Sequence, residues 1–297
     1  MLRIGFVGLG HMGLPMAVNL IKAGHSVTGY DLQPSALELF AKAGGLAAHH
    51  LQEASKEQDI IITMLQTGQQ VLHVCSGTEG LFSKAKENAL FIDCSTIDVQ
   101  TSREIHQIAK KGKLLAIDAP VSGGVTGATA ATLTFMVGGE EQAYQAAQPV
   151  LSLMGQKIIH TGSAGNGQAA KICNNMILGI SMIAVSEAFI LAKHLGLSAK
   201  KLFEVVNNSS GQCWALSKYI PVPGILDNVP ANKNYQAGFA AAMMLKDLNL
   251  SQNSAHSVHM ETPLGSKCTQ LYQQLIDQGL GEEDFSAIIK LIAKENH

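Results

Sequence analysis

This sequence predicts an α/β protein in two parts, a doubly wound N-terminal sheet and an all-α C-terminal domain joined by a long helix. Three observations predict it. The first half alternates short apolar runs with helix-spaced segments, as strands covered by helices on both faces do. The chain opens on Ile4-Gly5-Phe6-Val7, a strand-like run that breaks into Gly8-Leu9-Gly10-His11-Met12-Gly13, the pattern G-x-G-x-x-G. Beyond Thr161-Gly162-Ser163-Ala164-Gly165-Asn166-Gly167 strand-like runs stop and helical spacing takes over.

Each element of the opening has a physical job. Gly8 permits a tight turn, Gly10 removes the side chain that would block a pyrophosphate, and Gly13 lets the next helix pack on the strand. That helix start offers free N–H groups and a positive dipole end to phosphates. A second strand, Ser26-Val27-Thr28-Gly29-Tyr30, leads to Asp31, 18 positions past Gly13. An acid at roughly 20 residues accepts hydrogen bonds from the adenosine ribose. Asp31 as a plain turn residue would leave that spacing unexplained. The order strand, glycines, helix, strand, acid is that of a Rossmann-type dinucleotide domain. A carboxylate there repels a 2′-phosphate, and Leu32, Gln33 and Pro34 supply no cation. NAD is therefore favoured over NADP.

The remaining elements follow in turn. A helix is expected at residues 35–43, then a strand at 59–65 that is apolar throughout, as in a parallel sheet buried on both faces. Strands at 90–93 and 114–118 flank a helix at 99–110. A strand at 132–137, a helix at 140–154 and a short strand at 157–160 complete the first domain, residues 1–163. The second, 164–297, begins with one helix over 168–193 that spans the joint. Further helices are expected at 199–207, 240–256, 265–278 and 286–294.

With 297 residues, 46% hydrophobic and 15% charged, the chain has room for two domains, a large interior and a subunit interface. A net charge of −2 gives no general field for nucleic acid or an anionic membrane. Cys75, Cys94, Cys173, Cys213 and Cys268 form no C-x-x-C and read as reduced, buried thiols of a cytosolic protein. The N-terminus lacks a signal-peptide pattern, so a cytoplasmic location is expected. The longest apolar stretch, 176–192, is interrupted by Ser181, Ser186 and Glu187 and reads as a buried helix rather than a membrane span. His256 and His259 fit one helical face but have no neighbouring ligand pattern, so no metal is expected. Extensive apolar helix faces point to a homodimer or homotetramer.

A nicotinamide enzyme acting on an alcohol needs a base for the hydroxyl proton and groups that fix the substrate. Lys171 starts an otherwise apolar helix, and Asn175 lies one turn on, on the same face. Desolvation or a nearby cation would bring such a lysine into the range of a base; a solvated first-turn lysine fits the sequence equally. In Asp118-Ala119-Pro120-Val121-Ser122-Gly123-Gly124 a strand ends in a Pro- and Gly-rich loop, where open sheets bind ligands. The amides of Ser122, Gly123 and Gly124 suit a carboxylate, and a surface turn is the competing reading. Lys246-Asp247 reads on its own as a surface ion pair.

Together these segments resemble the β-hydroxyacid dehydrogenase family, and the match runs nearly the whole chain. Gly8 to Ala17, Asp118 to Gly124, Thr132 to Gly139 and Gly165 to Asn175 carry the wider family pattern. Ile180 to Ala188, Ser209-Ser210-Gly211, Cys213-Trp214 and Pro221-Val222-Pro223-Gly224 point to its hydroxyisobutyrate branch. The resemblance implies oxidation of 3-hydroxy-2-methylpropanoate to methylmalonate semialdehyde, a step of valine breakdown. It implies Lys171 as the catalytic lysine, Asn175 orienting it, and Ser122, Gly123 and Gly124 on the substrate carboxylate. It implies Leu65, Gln66, Gln70, Thr96 and Lys246 at the NAD site, beside Gly8, Leu9, Gly10, His11, Met12, Gly13 and Asp31. Trp214 and Tyr219 become walls of a pocket for a small 3-hydroxy acid, with Asp247 in support.

The sequence departs from the family pattern in places. Gln212 stands where an arginine is usual, Asn232-Lys233 replaces a usual Ser-Arg, Ala131 replaces a glycine, and Gln66 replaces a proline. None is a group assigned to the chemical step, but a lost guanidinium bears on how a carboxylate is held. Two other functions compete: a related reductase of tartronate or succinic semialdehyde, and a non-enzymatic NAD(H)-binding sensor, which would have no need of a base at Lys171.

Overall fold

Nine strands form one sheet in a computed structural model that describes residues 1–295. They are β1 (Arg3–Val7), β2 (Ser26–Tyr30), β3 (Leu46–Ala47), β4 (Ile60–Thr63), β5 (Leu90–Asp93), β6 (Leu115–Asp118), β7 (Val121–Ser122), β8 (Leu133–Gly139) and β9 (Gly155–Gly162). Their order is β3-β2-β1-β4-β5-β6-β8-β7, with β9 paired to β8. The chain winds outward from β1 in both directions, so a switch point falls between β1 and β4.

Alternation explains why β1, β4 and β5 are apolar throughout. Ile4, Phe6, Ile60, Ile62, Leu90 and Ile92 enter the core on one face of the sheet. Val7, Ile61 and Phe91 enter a second core on the other. Successive side chains point to opposite faces, and helices cover both.

The expectation of a parallel sheet holds from β3 to β6 and fails beyond it. β8 runs antiparallel to both β6 and β7. A parallel crossover needs a dozen or more residues, usually with a helix. Between β6 and β8 the chain must also form β7, and the only helix there is the six-residue Gly124–Thr129. It folds back instead. β9 then returns parallel to β8 by way of the helix Glu141–Leu151. The strand expected at 157–160 is longer, and the two-residue β3 and β7 and the helices Gly68–Cys75 and Leu81–Lys84 are additions.

The chain divides into two compact units, Met1–Lys171 and Ile172–His297. This division falls inside the helix Asn166–His194, because the first turns of that helix are bonded into the N-terminal unit. The helix is long and apolar enough to cross a bilayer by length and composition. Its buried residues Met182, Ile183, Val185 and Phe189 form part of the C-terminal core.

The rest of the C-terminal unit is helical, with Ala199–Asn207, Ala241–Ser257, Pro263–Asp277 and Ile288–Glu295 the longest elements after the first. Met244, Leu248, Tyr272 and Phe285 centre its core. Wholly buried Asp284 organises it: Oδ2 accepts from Tyr219 Oη and the Gly238 and Phe239 N–H groups, and Oδ1 accepts from Ser286 N–H and Oγ–H. Five donors on one carboxylate satisfy its charge without a cation.

Two smaller expectations are corrected. His259 lies past the end of its helix with φ +57°, so it shares no helical face with His256. All five cysteines are free, but only Cys75, Cys94 and Cys268 are buried; Cys213 is half-buried and Cys173 exposed.

Candidate active site

The last residues of five strands stand side by side. Tyr30, Val7, Thr63, Asp93 and Asp118 are successive register partners across β2, β1, β4, β5 and β6. These four strand spacings cover roughly 19 Å. The loops leaving that row carry Asp31, Gly8 to Gly13, Leu65 and Gln66, Thr96, and Ser122 to Gly124. Parallel pairing thus collects along one edge residues that are more than a hundred positions apart in sequence, at the carboxyl ends where such sheets bind ligands.

The three glycines do different work. Gly8 has φ +96°, and a Cβ there would stand 2.3 Å from Met64 O. A Cβ at Gly13 would meet Gly8 O at 1.9 Å, so the helix Gly13–Lys22 can approach β1 only with glycine at its start. At Gly10 a Cβ would meet nothing within 4 Å. Neither turn strain nor packing requires glycine there, which leaves backbone access for a ligand as its purpose. The helix behind it has no side-chain cap and no acid in its first turn, leaving its N–H groups and dipole to an anion. Substituting Gly10→Val should therefore leave the melting temperature nearly unchanged while weakening NAD binding at least about tenfold. Calorimetric melting with titration of NADH fluorescence checks both.

Asp31 ties the loop to β2: Oδ2 accepts from Leu9 N–H at 2.7 Å and Oδ1 from Gln33 N–H at 2.8 Å. It thus performs the turn-forming role as well, and its carboxylate retains lone pairs for two ribose hydroxyls. Leu9 is 1% exposed, so its side chain belongs to the core and only its backbone faces the loop. His11 is exposed, and Met12 is half-buried. An open cradle, an uncapped helix start and a spare-handed acid fit a dinucleotide.

Beyond the switch point, Leu65 N–H donates to Ser95 Oγ at 2.8 Å, which fastens the loop after β4 to the one after β5. Gln70 Oε1 accepts from Gln66 N–H at 3.1 Å, so the two glutamines assigned to the cofactor hold each other at the start of the helix Gly68–Cys75. Thr96 is half-buried next to Ser95. Asp93 is buried; Oδ1 accepts from Thr63 Oγ and Ser95 N–H, and Oδ2 has no hydrogen-bond partner. Burial pushes its carboxyl up to about 6, against the hydrogen bonds from Ser95 and Thr63.

Ser122 ends β7 and is half-buried, with Gly123 at φ +136° and Gly124 at φ +61°. Both glycines occupy backbone conformations that side chains disfavour. Asp118, four residues earlier, is 1% exposed and is a hub: His106 Nε2 lies 3.0 Å from Oδ1, Gly165 N–H donates to Oδ1 at 2.8 Å, and Gln168 N–H donates to Oδ2 at 2.9 Å. The loop bearing Ser122 and the first turn of the helix bearing Lys171 are thus held by one carboxylate. Neither Asp118 nor Gln168 stood out in the sequence, since a strand-terminal acid and a helical glutamine are common everywhere.

Lys171 is 8% exposed, which sets aside the solvated-lysine reading. Asn175, 2% exposed, lies one turn further along the same helix. Asn175 Nδ2 donates to Asp247 Oδ2, and its Oδ1 accepts from Asn174 Nδ2 at 3.0 Å. Asp247 Oδ1 stands 3.2 Å from Lys246 Nζ as an ion pair without hydrogen-bond alignment. With Asp247 only 4% exposed at its side chain, the pair is not a surface one. Trp214 stacks on Tyr219 at 5.0 Å and Tyr219 on Phe285 at 5.3 Å, although Trp214 remains 51% exposed. Burial and the adjacent Asp284 carboxylate hold the Tyr219 hydroxyl protonated, well above the ordinary tyrosine range. Among the described residues no group of three His, Cys, Asp or Glu side chains is placed to hold a metal.

Comparison with known proteins agrees with this layout. Residues 3–162 match the NAD-binding domain of 6-phosphogluconate dehydrogenase, and residues 165–292 match the NAD-binding domain of NADP-dependent 3-hydroxyisobutyrate dehydrogenase. The mitochondrial 3-hydroxyisobutyrate dehydrogenase of Pongo abelii is 44% identical over 98% of this chain and 87% of its own. The chain belongs to the 3-hydroxyisobutyrate dehydrogenase family, within the β-hydroxyacid dehydrogenases. A Mycobacterium tuberculosis 3-hydroxyisobutyrate dehydrogenase solved with L-serine superposes with a TM-score of 0.94, at 46% identity over 98% of this chain and 99% of that one. An NAD-dependent L-serine dehydrogenase of Pseudomonas aeruginosa is 44% identical over 98% of both. As a 3-hydroxyisobutyrate dehydrogenase family member, the protein is an NAD-dependent dehydrogenase of small hydroxy acids.

Proposed function

We propose that the protein oxidises 3-hydroxyisobutyrate to methylmalonate semialdehyde with NAD, in valine breakdown. The observation that carries a dehydrogenase reading is Lys171, a buried amine on a helix whose first turn is bonded to Asp118 at the carboxyl edge of the sheet. A sensor would gain nothing from burying a cation there, since burial without function is costly.

NAD, when bound, supplies the acceptor for the hydride that leaves the carbinol carbon. The chain's residues handle the rest. The N–H groups of Ser122, Gly123 and Gly124 hold the substrate carboxylate, which fixes the carbinol carbon at the edge of the sheet. Lys171, as the neutral amine, takes the hydroxyl proton at Nζ while the C–O bond becomes a carbonyl. Asn175, itself aligned by Asp247 and Asn174, is the amide one turn on that orients the lysine. Asp31, with no cation in the three residues that follow it, supports NAD over NADP.

The names of the relatives support two substrates. L-Serine differs from 3-hydroxyisobutyrate by an ammonium in place of a methyl. The stacked Trp214, Tyr219 and Phe285 favour the methyl, for they offer apolar surface and no free carboxylate. Initial rates with NAD on 3-hydroxyisobutyrate, L-serine, and the alcohols of tartronate and succinic semialdehydes test this. We expect kcat/KM for 3-hydroxyisobutyrate to exceed that for L-serine by at least about tenfold; the reverse order would make L-serine the substrate. We also propose a homodimer or homotetramer, supported by Ile177, Leu191 and Leu195, which are 63%, 60% and 75% exposed. A reducing compartment such as the cytoplasm is supported by five free cysteines.

A further inference from the structure

Gln168 is wholly buried, at 0% exposure, three residues before Lys171. Its carboxamide leaves the helix for a loop 71 to 73 residues away in sequence. Oε1 accepts from Ile97 N–H at 3.1 Å, and Nε2 donates to Ser95 O at 2.8 Å. These two bonds bracket Thr96. Gln168 N–H donates to Asp118 Oδ2, and Ser95 Oγ receives Leu65 N–H from the next loop along the edge. The carboxamide therefore joins the loop at 95–97 to the helix that bears the lysine, the backbone N–H of the same residue joins that helix to Asp118, and Ser95 carries the link on to Leu65.

Filling the volume would need only an aliphatic side chain. An amide with both ends engaged also fixes direction, because each bond fails if the helix turns or slides. Lys171 lies about 4.5 Å along the axis from Gln168, less than one turn. A shift of the helix start is therefore a shift of the amine.

We propose that Gln168 is a positioning residue: it locks the first turn of the helix bearing Lys171 to the loop at residues 95–97, so that the lysine is placed by the segment that carries Thr96. This rests on Lys171 being the base. It predicts a coupling in both directions, with cofactor on the Thr96 loop steadying the helix and the helix steadying the loop.

The decisive variant is Gln168→Glu. As a carboxylate it still accepts from Ile97 N–H but sets a negative oxygen against Ser95 O. As a carboxylic acid it regains an O–H that donates to Ser95 O, restoring both bonds. Asp118, His106 and Asp93 are ionisable groups of the same neighbourhood in the parent protein too. The variant is therefore read as a ratio to wild type at each pH, under conditions where melting shows both folded. We expect kcat at pH 8 to fall by about tenfold or more, with the NADH dissociation constant, read by fluorescence, within about threefold. The kcat ratio should climb back toward one as pH falls to 6. Gln168→Leu should lose kcat at every pH. Amide exchange of the helix start should slow on adding NAD to wild type and change less in Gln168→Leu. A wild-type kcat for Gln168→Glu at pH 8, a pH-independent loss, or an equal loss of NADH affinity would overturn the proposal. If Lys171→Met stays active, the assignment of the base fails first; if Lys171→Met is dead and Gln168→Glu is fully active, only the coupling fails.

Discussion

Lys171→Met should lower kcat by about 10³-fold, with the NADH dissociation constant held within about twofold. General base catalysis contributes 10²–10⁴-fold, so removal of a sole base sets the scale. Methionine keeps the length and apolar stem of lysine, which matters because the side chain is 8% exposed and its stem is packed. The groups proposed to hold the dinucleotide are untouched: Asp31 still accepts from Leu9 N–H, and Ser95 Oγ still accepts from Leu65 N–H. A loss confined to turnover thus separates chemistry from cofactor binding. Lys171→Ala gives a second readout, since it opens a space where a small primary amine can stand in for Nζ. Added ethylamine should restore part of the rate in proportion to its neutral fraction. A variant that keeps more than a tenth of wild-type kcat removes Lys171 from the role of base and leaves Asn175 and Asp247 without a catalytic partner to align.

How far the sequence could be read depends on how local each cause is. The dinucleotide loop was legible because each glycine answers to a neighbour a few residues away, as Gly13 does to Gly8 O. The apolar strands were legible because alternation on β1, β4 and β5 follows from burial of both faces. The direction of β8 was not, since it depends on how little chain is left for a crossover, which propensity does not express. The site divides in the same way. Lys171 announces itself as a charge in an apolar helix. Gln168 does not, because its partners are Ser95 and Ile97, and no local pattern says that a helical amide will find them. Asp118 was read only as the strand end before Ser122, although it fixes the helix start through Gly165 and Gln168. Asp247 in isolation looked like half of a surface pair, and only its burial against Asn175 shows otherwise.

Asp93→Asn should gain stability relative to wild type as pH rises from acid to neutral, and keep that gain at alkaline pH. Asp93 ends β5 wholly enclosed, with Oδ1 bonded to Thr63 and Ser95 and Oδ2 without a donor. Burial raises its carboxyl from 3.8 to about 6, with the Asp118 charge adding a smaller push and the bonds from Ser95 and Thr63 opposing. A raised native value means that between these limits the folded state holds a proton that the unfolded chain has released. Stability must therefore fall as pH rises from about 3.8 to about 6 and stay level above, a total of about 3 kcal/mol. Roughly half of this lies between pH 5 and pH 8. Asparagine keeps the acceptor that Thr63 and Ser95 use and removes the charge. Its amide also lacks a partner at the Oδ2 position, but that cost does not change with pH and cancels when the variant is compared with wild type at two pH values. The gain should thus grow by about 1 kcal/mol from pH 5 to pH 8, or about 2–4 °C in melting temperature. Far-UV circular dichroism is the suitable probe, because the single tryptophan, Trp214, reports from the other unit. Parallel stability curves for variant and wild type would mean that Asp93 is ionised throughout and that its enclosed oxygen is stabilised by something other than a proton.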